Sequence, residues 1–154
     1  MSFTTSDGTR GARQPRGRFL RWMNRWMTSR IRRTGKAPFM GFDALVLVTI
    51  GRKSGAERFT PVGWFPGKDG TWLIVASAAG AAKNPDWYHN LAAHPDRVRI
   101  EIPGRKVDVV AEQLEGPERE EAWRTITAAS PQFARYQEQT DRVLPVIRLR
   151  PRAG

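Results

Sequence analysis

The sequence predicts an α+β domain built around an antiparallel, barrel-like sheet, with helices inserted between its strands. Short apolar runs rich in β-branched residues recur between residues 44 and 149, as they do in strands. Tight turns such as Pro66–Gly70 and Pro103-Gly104 follow some of them, and such turns connect antiparallel neighbours. Helical patterns do not follow every strand, which argues against a parallel βαβ sheet. The 154 residues are enough chain for one domain with a hydrophobic core.

The predicted strands differ in how deeply they are buried. Ala44–Ile50 is apolar on both faces, which predicts a central buried strand. Arg58–Phe65 contains Pro61, and a proline within a strand predicts an edge or a bulge. Alternation of apolar and charged residues predicts a half-exposed hairpin formed by Arg97–Ile102 and Lys106–Leu114. The other predicted strands are Trp72–Ser77 and Val143–Leu149.

Three helices are predicted within the body of the chain. The first begins at Asn84-Pro85-Asp86, with Asn84 as the N-cap, Pro85 at the first helical position and Asp86 near the positive end of the dipole. It runs to about Ala93, before Pro95. The other two are predicted at Gly116–Ala129 and from Ser130-Pro131 to Gln139.

Positive charge is concentrated in the first 36 residues. The chain carries a net charge of +11. Residues 1–36 contribute +9 of it, from ten basic residues and one acidic residue, Asp7. We interpret residues 1–36 as a basic N-terminal arm and residues 37–154 as a nearly neutral body. Gly, Ser, Thr, Pro and Arg dominate residues 1–17, which predicts disorder there.

The arm contains a predicted amphipathic helix from Arg18 to Arg33. Two interpretations of this helix remain open. It packs on the core with its arginines in water, or it lies on an anionic membrane surface through residues 18–33, as basic interfacial helices do. Its apolar residues recur at spacings of three and four; they are Phe19, Trp22, Met23, Trp26, Met27 and Ile31.

Composition excludes several kinds of site. The chain has no cysteine, which removes disulfides, thiol catalysis and thiolate metal ligands. His89 and His94 are five residues apart and point in different directions on a helix, so no metal site is expected. No secretory signal and no bilayer-spanning apolar run is visible. We expect a cytoplasmic protein, with peripheral attachment to the inner face of the membrane as the second option.

One loop looks suited to an extended anion such as a phosphodiester or polycarboxylate. Gly51–Gly55 follows a strand and carries Arg52 and Lys53, with Arg58 three residues beyond it. Lys83 stands directly before a predicted helix start, where backbone N–H groups and the helix dipole favour anions. Taken alone, however, Gly51–Gly55 is compatible with an ordinary hairpin turn whose cations are solvated.

A second loop contains only small residues, Ala76–Ala82. Small residues let a flat ring approach the backbone closely, although a loop of this kind can also have no ligand. Trp87 and Tyr88 follow it at the helix start, where aromatic side chains either pack in the core or support a ring. The residues alone do not decide between these alternatives.

Three motifs carry a resemblance to a known family. They are Gly51-Arg52-Lys53-Ser54-Gly55 with Arg58 and Pro61, Val75-Ala76-Ser77 with its small-residue loop, and Lys83-Asn84-Pro85-x-Trp87-Tyr88-x-Asn90. Together they resemble the deazaflavin-dependent nitroreductase family, in the quinone-reductase branch that uses reduced coenzyme F420, an 8-hydroxy-5-deazaflavin. The resemblance implies a split antiparallel β-barrel of the FMN-binding type. It also implies hydride transfer from reduced F420 to a quinone-like or nitroaromatic acceptor.

The resemblance also implies which residues hold the coenzyme. In the family, positions matching Arg52, Lys53 and Arg58 hold the phosphate and the oligoglutamate tail. The other cofactor-binding positions that it implies are Phe59, Thr60, Pro61, Val62, Gly63, Ala76, Ser77, Ala78, Ala79, Lys83, Pro85, Asp86, Trp87, Tyr88 and Asn90.

For the acceptor side of the site, the resemblance implies fewer residues. Ser77 is the expected catalytic residue, stabilising negative charge on the acceptor oxygen, and Tyr136 is a candidate donor or positioning group. The chain departs from the best-studied nitroreductases at Gly63, where they have a tyrosine, and at Ala78, where they have a lysine. The expected substrate pocket is formed by Trp22, Trp26, Ser130, Phe133 and Tyr136.

Two alternatives remain open at this point. The same fold could bind FMN in place of the deazaflavin, or the protein could be a non-enzymatic module whose basic arm binds nucleic acid or membrane. Nucleic acid is not expected, because the apolar residues of the arm form a helical stripe. The sequence leaves the oligomeric state open.

Overall fold

A computed structural model of the protein describes residues 3, 5, 7–11, 18–36 and 43–152. The side chains of Phe19, Leu20 and Ala79 lie outside this description. The helices and strands of the described part are, in chain order, α1 (Arg18–Thr34), β1 (Ala44–Ile50), β2 (Glu57–Gly63), β3 (Phe65–Pro66), β4 (Trp72–Val75), α2 (Asp86–Ala93), β5 (Val98–Ile102), β6 (Arg105–Gln113), α3 (Gly116–Ala129), α4 (Gln132–Gln139) and β7 (Val146–Pro151).

The strands form one antiparallel sheet in the order β2-β1-β5-β6-β7-β4-β3. Its two edge strands, β2 and β3, are consecutive in the chain and only Trp64 separates them. One residue spans less than about 4 Å, so the sheet must curl until its two edges meet. This confirms the predicted split antiparallel barrel with helices between strands.

The predicted burial of β1 and β2 is confirmed. β1 lies between β2 and β5, and its residues are buried from Ala44 to Thr49. β2 lies at the edge of the sheet, where Pro61 pairs with Val46 of β1. A proline lacks the N–H that a second neighbouring strand would require. Its ring nitrogen therefore fits an edge strand.

The hairpin of β5 and β6 is less exposed than predicted. Lys106 and Asp108 are exposed, but Glu101 is only 3% exposed. Its carboxylate accepts hydrogen bonds from Arg32 of α1 and from Arg99. The prediction of a half-exposed face is wrong at Glu101 because α1 covers this part of the sheet.

Helix α1 packs on the sheet with only one end of its apolar stripe. Ile31 is fully buried and packs with Ala44, Val46 and Val48 of β1, with Met27 partly buried beside them. Trp22 and Trp26 belong to the same predicted stripe but are 61% and 45% exposed. The stripe therefore divides into a buried C-terminal part and an exposed aromatic part.

Two predicted boundaries are wrong for identifiable reasons. Asn84 is not the N-cap of α2, because the cap position is Pro85 and makes no side-chain cap bond. The Asn84 amide instead donates to Thr5 O and accepts from Arg142. The last strand begins at Val146 and not at Val143, which is exposed.

Part of the N-terminal segment is ordered against the barrel, in contrast to the predicted disorder. The Phe3 ring meets the Tyr88 ring edge-on, with centroids 5.6 Å apart. Gly8 N donates to Ala82 O at 2.7 Å, and Thr5 N donates to the Tyr88 hydroxyl at 3.1 Å. The prediction is wrong for described residues 3, 5 and 7–11; the rest of residues 1–17 lies outside the description. A separate arm at residues 1–36 stays a prediction.

None of the helices in the described residues is long and apolar enough to cross a membrane.

Candidate functional site

A cleft of about 1180 Å³ lies between α1, edge strand β2 and the start of α2. Cationic side chains from three parts of the chain line it, and Glu57 and Asp86 are its acidic members. The full lining is Arg21, Asn24, Arg25, Thr28, Arg32, Gly51, Arg52, Lys53, Ser54, Glu57, Arg58, Phe59, Thr60, Asp86, Trp87 and Asn90.

The turn from β1 to β2 places the predicted cations in this cleft. Gly51 N donates to Ala56 O at 2.7 Å, and Gly55 N donates to Gly51 O at 2.8 Å. Gly55 has a φ of +73°, a left-handed conformation that favours glycine. A side chain at Gly51 would approach Ser54 Oγ at 2.7 Å. The two glycines therefore make a tight turn that projects its charged residues outward.

Arg52 is held in place by α2. Asn90 Oδ1 accepts from Arg52 N at 3.1 Å and from Arg52 Nη1 at 3.0 Å. The guanidinium also lies 3.5 Å from the Asp86 carboxylate. Because Asn90 is 5% exposed, it is a buried support for Arg52 and not an open ligand group.

Arg58 and Lys53 are more loosely held. Arg58 Nη2 lies 3.4 Å from Ser54 Oγ, and both cations are exposed. Phe59 is 41% exposed, and the Arg32 guanidinium lies 5.2 Å from its ring centroid, a cation–π distance. The exposed side chains of Lys53 and Arg58 can therefore rearrange around an anion.

Sequence reasoning missed the wall of the cleft that α1 forms. Arg21, Arg25 and Arg32 line it, whereas the sequence predicted arginines of α1 in solvent or on a membrane. These positions recur at helical spacing, together with Asn24 and Thr28. A polar stripe of this kind was visible in the sequence, but nothing there showed which surface it would face.

A second group of predicted residues lies in the loop from Ala76 to Asn84, outside the cleft, and Arg142 holds this loop. Arg142, which is 2% exposed, donates to Ala76 O at 2.7 Å and to Ser77 O at 2.9 Å. Arg142 also donates to Asn84 Oδ1 at 2.6 Å. Sequence reasoning gave no role to Arg142, because its partners are mostly carbonyls that no side-chain pattern reveals.

The predicted contacts from α2 fall in different environments. Trp87 lines the cleft and is 8% exposed, whereas Tyr88 is 1% exposed in the core. The Tyr88 hydroxyl donates to Gln113 Oε1 at 2.6 Å. Pro85 is buried and Lys83 is exposed. Their roles toward a coenzyme stay predictions, and Tyr88 already has protein partners for its hydroxyl.

The predicted contacts from β2 also divide. Phe59 and Thr60 line the cleft, whereas Val62 is buried in the main core cluster. Pro61 and Gly63 are half-buried. Only the first part of this segment therefore faces the cleft.

The predicted substrate pocket is distributed over two helices. Trp22 and Trp26 lie on α1, which packs against β1, β2 and β5. Phe133 and Tyr136 lie on α4, which packs against α3 and the turn at Ala78–Gly80. Phe133 is 5% exposed, and its ring meets Tyr136 edge-on at 5.7 Å. Ser130 is buried between the two C-terminal helices.

These features define a split-barrel protein with a cationic cleft suited to an elongated anion. A family model described as F420H(2)-dependent quinone reductase matches residues 22–151. The F420H(2)-dependent quinone reductase Rv1261c of Mycobacterium tuberculosis is 30% identical over 143 residues, covering 82% of this chain and 94% of that protein. The chain therefore belongs to the F420H(2)-dependent quinone reductase family.

Solved structures agree with this assignment. An F420-H2 dependent reductase, FDR-A, is similar with a TM-score of 0.62 and 36% identity, covering 69% of this chain and 92% of that one. A structure described as a domain-swapped dimer has a TM-score of 0.64 and 34% identity, covering 86% and 99%. The family resemblance seen in the sequence is confirmed. The protein is an oxidoreductase whose cofactor is coenzyme F420.

The residues of the site fit this coenzyme. Its polyanionic tail needs cations along an open groove, and the cleft supplies them from α1, the β1–β2 turn and β2. Its ring needs close backbone approach, which the small residues after β4 allow. No group of His, Cys, Asp or Glu within the described residues could hold a metal ion.

Asp141 anchors the N-terminal segment and generates a pH prediction. Hydrogen bonds from the Thr9 hydroxyl and from the backbone of Arg10 and Thr9 lower the pKa of Asp141 from 3.8 to about 2. A carboxyl with a lowered folded-state pKa stabilises the docked state above its unfolded pKa, and this contribution is lost as the pH falls through the folded pKa. Docking should therefore persist at pH 4 and weaken toward pH 2.

The amide proton shifts of Thr9 and Arg10, followed by NMR, should titrate with a midpoint of about 2. The Asp141→Asn variant should lack this titration. A midpoint near the ordinary 3.8 would contradict the docked arrangement.

Proposed function

We propose that the protein transfers a hydride from reduced coenzyme F420 to a quinone. The observation that carries this proposal is the cationic cleft between α1, β2 and α2, in a chain that matches the F420H(2)-dependent quinone reductase family over residues 22–151. Nitroaromatic compounds are the second acceptor class. No described contact favours FMN or nucleic acid as the ligand.

The tail of the coenzyme would lie in the cleft. Arg52 is fixed by Asn90, so it supplies a preorganised cation for the phosphate or the first carboxylate. Arg58 and Lys53 are exposed and can follow a flexible chain. Arg21 and Arg25, on the α1 wall, would meet the tail from the opposite side. Two cationic walls on either side of the tail would offset the repulsion among its negatively charged groups.

The ring would lie against the turn that follows β4. Bound reduced deazaflavin supplies a hydride from C5, and the protein must position that carbon and exclude water. Ser77 is half-buried, and no described group bonds its hydroxyl, so the hydroxyl can donate to the acceptor oxygen that becomes negative. Water can complete the protonation, because a quinol anion needs no dedicated acid.

The acceptor would stack on the exposed side of the ring. Tyr136 is half-buried on α4, beside the turn that carries Ser77, and its hydroxyl accepts from Gln132. It can therefore position a polar acceptor group. Phe133 contacts the Tyr136 ring edge-on and so helps to hold it. Trp22 and Trp26 lie on another helix, and their part in a substrate pocket requires the acceptor to reach α1.

Charge reversal tests the tail site. Arg52→Glu with Lys53→Glu should weaken coenzyme binding by about a hundredfold or more, since hydrogen bonds to charged groups contribute about 1.5–3 kcal/mol each and every ~1.4 kcal/mol is a tenfold change in affinity. Quenching of coenzyme fluorescence measures the affinity, and the loss should shrink as salt rises.

The matched control is Arg105→Glu with Lys106→Glu, an adjacent exposed Arg-Lys pair at the start of β6, outside the cleft. It should leave the affinity within about twofold. Equal losses in the two variants would refute a defined tail site. Tighter binding of FMN than of the deazaflavin would refute the cofactor assignment.

Removing the Ser77 hydroxyl tests the chemistry. Ser77→Ala should slow menadione reduction by about tenfold or more, because a donor to developing charge is lost, while coenzyme affinity stays nearly unchanged. Ser29→Ala, on the exposed surface of α1, is the control. Steady-state rates against a panel of quinones and nitroaromatics also identify the preferred acceptor class. Unchanged rates would remove the hydroxyl from the mechanism.

The proposal includes a cytoplasmic location with peripheral membrane contact through residues 18–33. The exposed Trp22 and Trp26, with arginines nearby on α1, support it because Trp and Arg favour the headgroup region. The protein should float with anionic liposomes and less at high salt, and Trp22→Ala with Trp26→Ala should abolish flotation. Binding to DNA in place of liposomes would favour the nucleic-acid alternative.

A further inference from the structure

Arg142 is a buried cation whose hydrogen bonds go almost entirely to one loop. It lies between α4 and β7 and is 2% exposed. Its guanidinium donates to three backbone carbonyls and one side-chain oxygen of the loop. These acceptors are Ala76 O at 2.7 Å, Ser77 O at 2.9 Å, Ala81 O at 3.2 and 3.3 Å, and Asn84 Oδ1 at 2.6 Å.

Burying a charge such as that of Arg142 is unfavourable unless it is paired and hydrogen-bonded. Burial lowers the pKa of Arg142, and the charge of Asp7 opposes that shift. Within the described residues, hydrogen bonds connect Asp7 to Arg142 by way of Asn84. The Asn84 backbone N–H donates to Asp7 Oδ1 at 2.8 Å, and Asn84 Oδ1 accepts from Arg142. A buried ion without a directly bonded carboxylate is weak evidence for a stabilising role, because apolar packing would serve stability as well or better.

The carbonyls that Arg142 binds determine where two peptide N–H groups point. In a trans peptide, the C=O of one residue and the N–H of the next point in opposite directions, and the described chain contains no cis peptide. Because Arg142 holds Ala76 O and Ser77 O, the N–H groups of Ser77 and Ala78 are directed away from it. Within the described residues, neither N–H donates a hydrogen bond.

The backbone at this point has the form of an anion-binding nest. Ser77 has right-handed helical angles, φ −81° and ψ −35°, and Ala78 has a φ of +45°. Successive right-handed and left-handed residues make neighbouring N–H groups converge on one point. A positive φ is unfavourable for alanine, so this conformation needs support from elsewhere, and the bonds from Arg142 supply it.

We propose that Arg142 is a positioning residue that turns the N–H groups of Ser77 and Ala78 toward an electron-rich oxygen of the bound ring or acceptor. This inference rests on the proposed function of the loop. The guanidinium also polarises the two peptide groups from their carbonyl ends, which strengthens both donors. Lysine cannot replace it, because an ammonium cannot span several carbonyls with a planar fork.

The test uses the full-length protein, coenzyme F420 as the probe and NMR of the backbone amides. In the free wild-type protein, the Ser77 and Ala78 amides should exchange with solvent quickly, since no described residue accepts a hydrogen bond from them. Addition of the coenzyme should move both amide protons downfield and slow their exchange. In Arg142→Lys both effects should disappear, and kcat for menadione should fall about tenfold or more with little change in KM.

Arg119→Lys is the matched control. Arg119 is also largely buried, at 13% side-chain exposure, and donates to a carbonyl, Leu144 O at 2.9 Å, but not to the loop. This variant should keep the downfield shifts and the wild-type kcat. If it loses them as Arg142→Lys does, Arg142 acts only through general stability and the proposal is overturned.

Chemical rescue gives a second, independent variant. Arg142→Ala should regain part of its kcat and its amide shifts in millimolar guanidinium, whereas methylammonium should have no effect. Equal rescue by both ions, or no rescue in a folded variant, overturns the proposal. If wild-type protein does not bind the coenzyme, the proposed function fails. In that case, amide exchange in the free protein still tests the orientation of the two peptides. The Ser77 and Ala78 amides should exchange fast in the wild-type protein, and their exchange rates should change in Arg142→Lys.

Discussion

The bonds from Arg32 and Arg99 to the buried Glu101 carboxylate determine where the cleft can form. Burial raises the pKa of Glu101, but the hydrogen bonds and charges of the two arginines outweigh this effect and hold the pKa below its ordinary value. The carboxylate is therefore charged at neutral pH, and losing a donor would leave a buried acceptor unpaired at about 1–3 kcal/mol. Together with the packing of Ile31 of α1 against β1, this contact keeps α1 over the sheet. Without α1 at that position, the cations of β2 would face solvent and no cleft would exist.

The curl of the sheet brings together residues that are far apart in the chain. Because Trp64 alone joins the two edge strands, β2 and β4 approach each other across the opening of the barrel. The turn before β2 carries Arg52 and Lys53, and the loop after β4 carries Ser77. Helix α2 lies next to both, since its Asn90 binds Arg52 and the helix begins directly after the loop. Tail and ring contacts can therefore belong to one extended ligand, although the chain separates them by more than twenty residues.

Local patterns predicted the strands, α3 and the edge position of Pro61 because each depends on nearest neighbours in sequence. Asn84 shows the limit of such patterns. Its sequence context is that of an N-cap, but Thr5, Asp7 and Arg142 offer its amide stronger partners from distant parts of the chain. The prediction that Glu101 is exposed was wrong for the same reason, because strand alternation does not show which face of the sheet a distant helix covers. The cleft cations Arg52, Lys53 and Arg58 were predicted from their motif, whereas placing Arg21 and Arg25 in the cleft required the position of α1.

The proposed backbone recognition would let this chain depart from its relatives around the ring without losing the coenzyme. Ala78 replaces a lysine of the best-studied nitroreductases, yet an N–H donor is present whatever the side chain. In the proposed arrangement the loop acts through its backbone conformation, which Arg142 supports by its hydrogen bonds to Ala76 O, Ser77 O and Asn84 Oδ1. Substitutions in the loop can then alter the space for an acceptor while the donors stay in place. On this proposal, acceptor specificity and coenzyme binding depend on different atoms of the same residues.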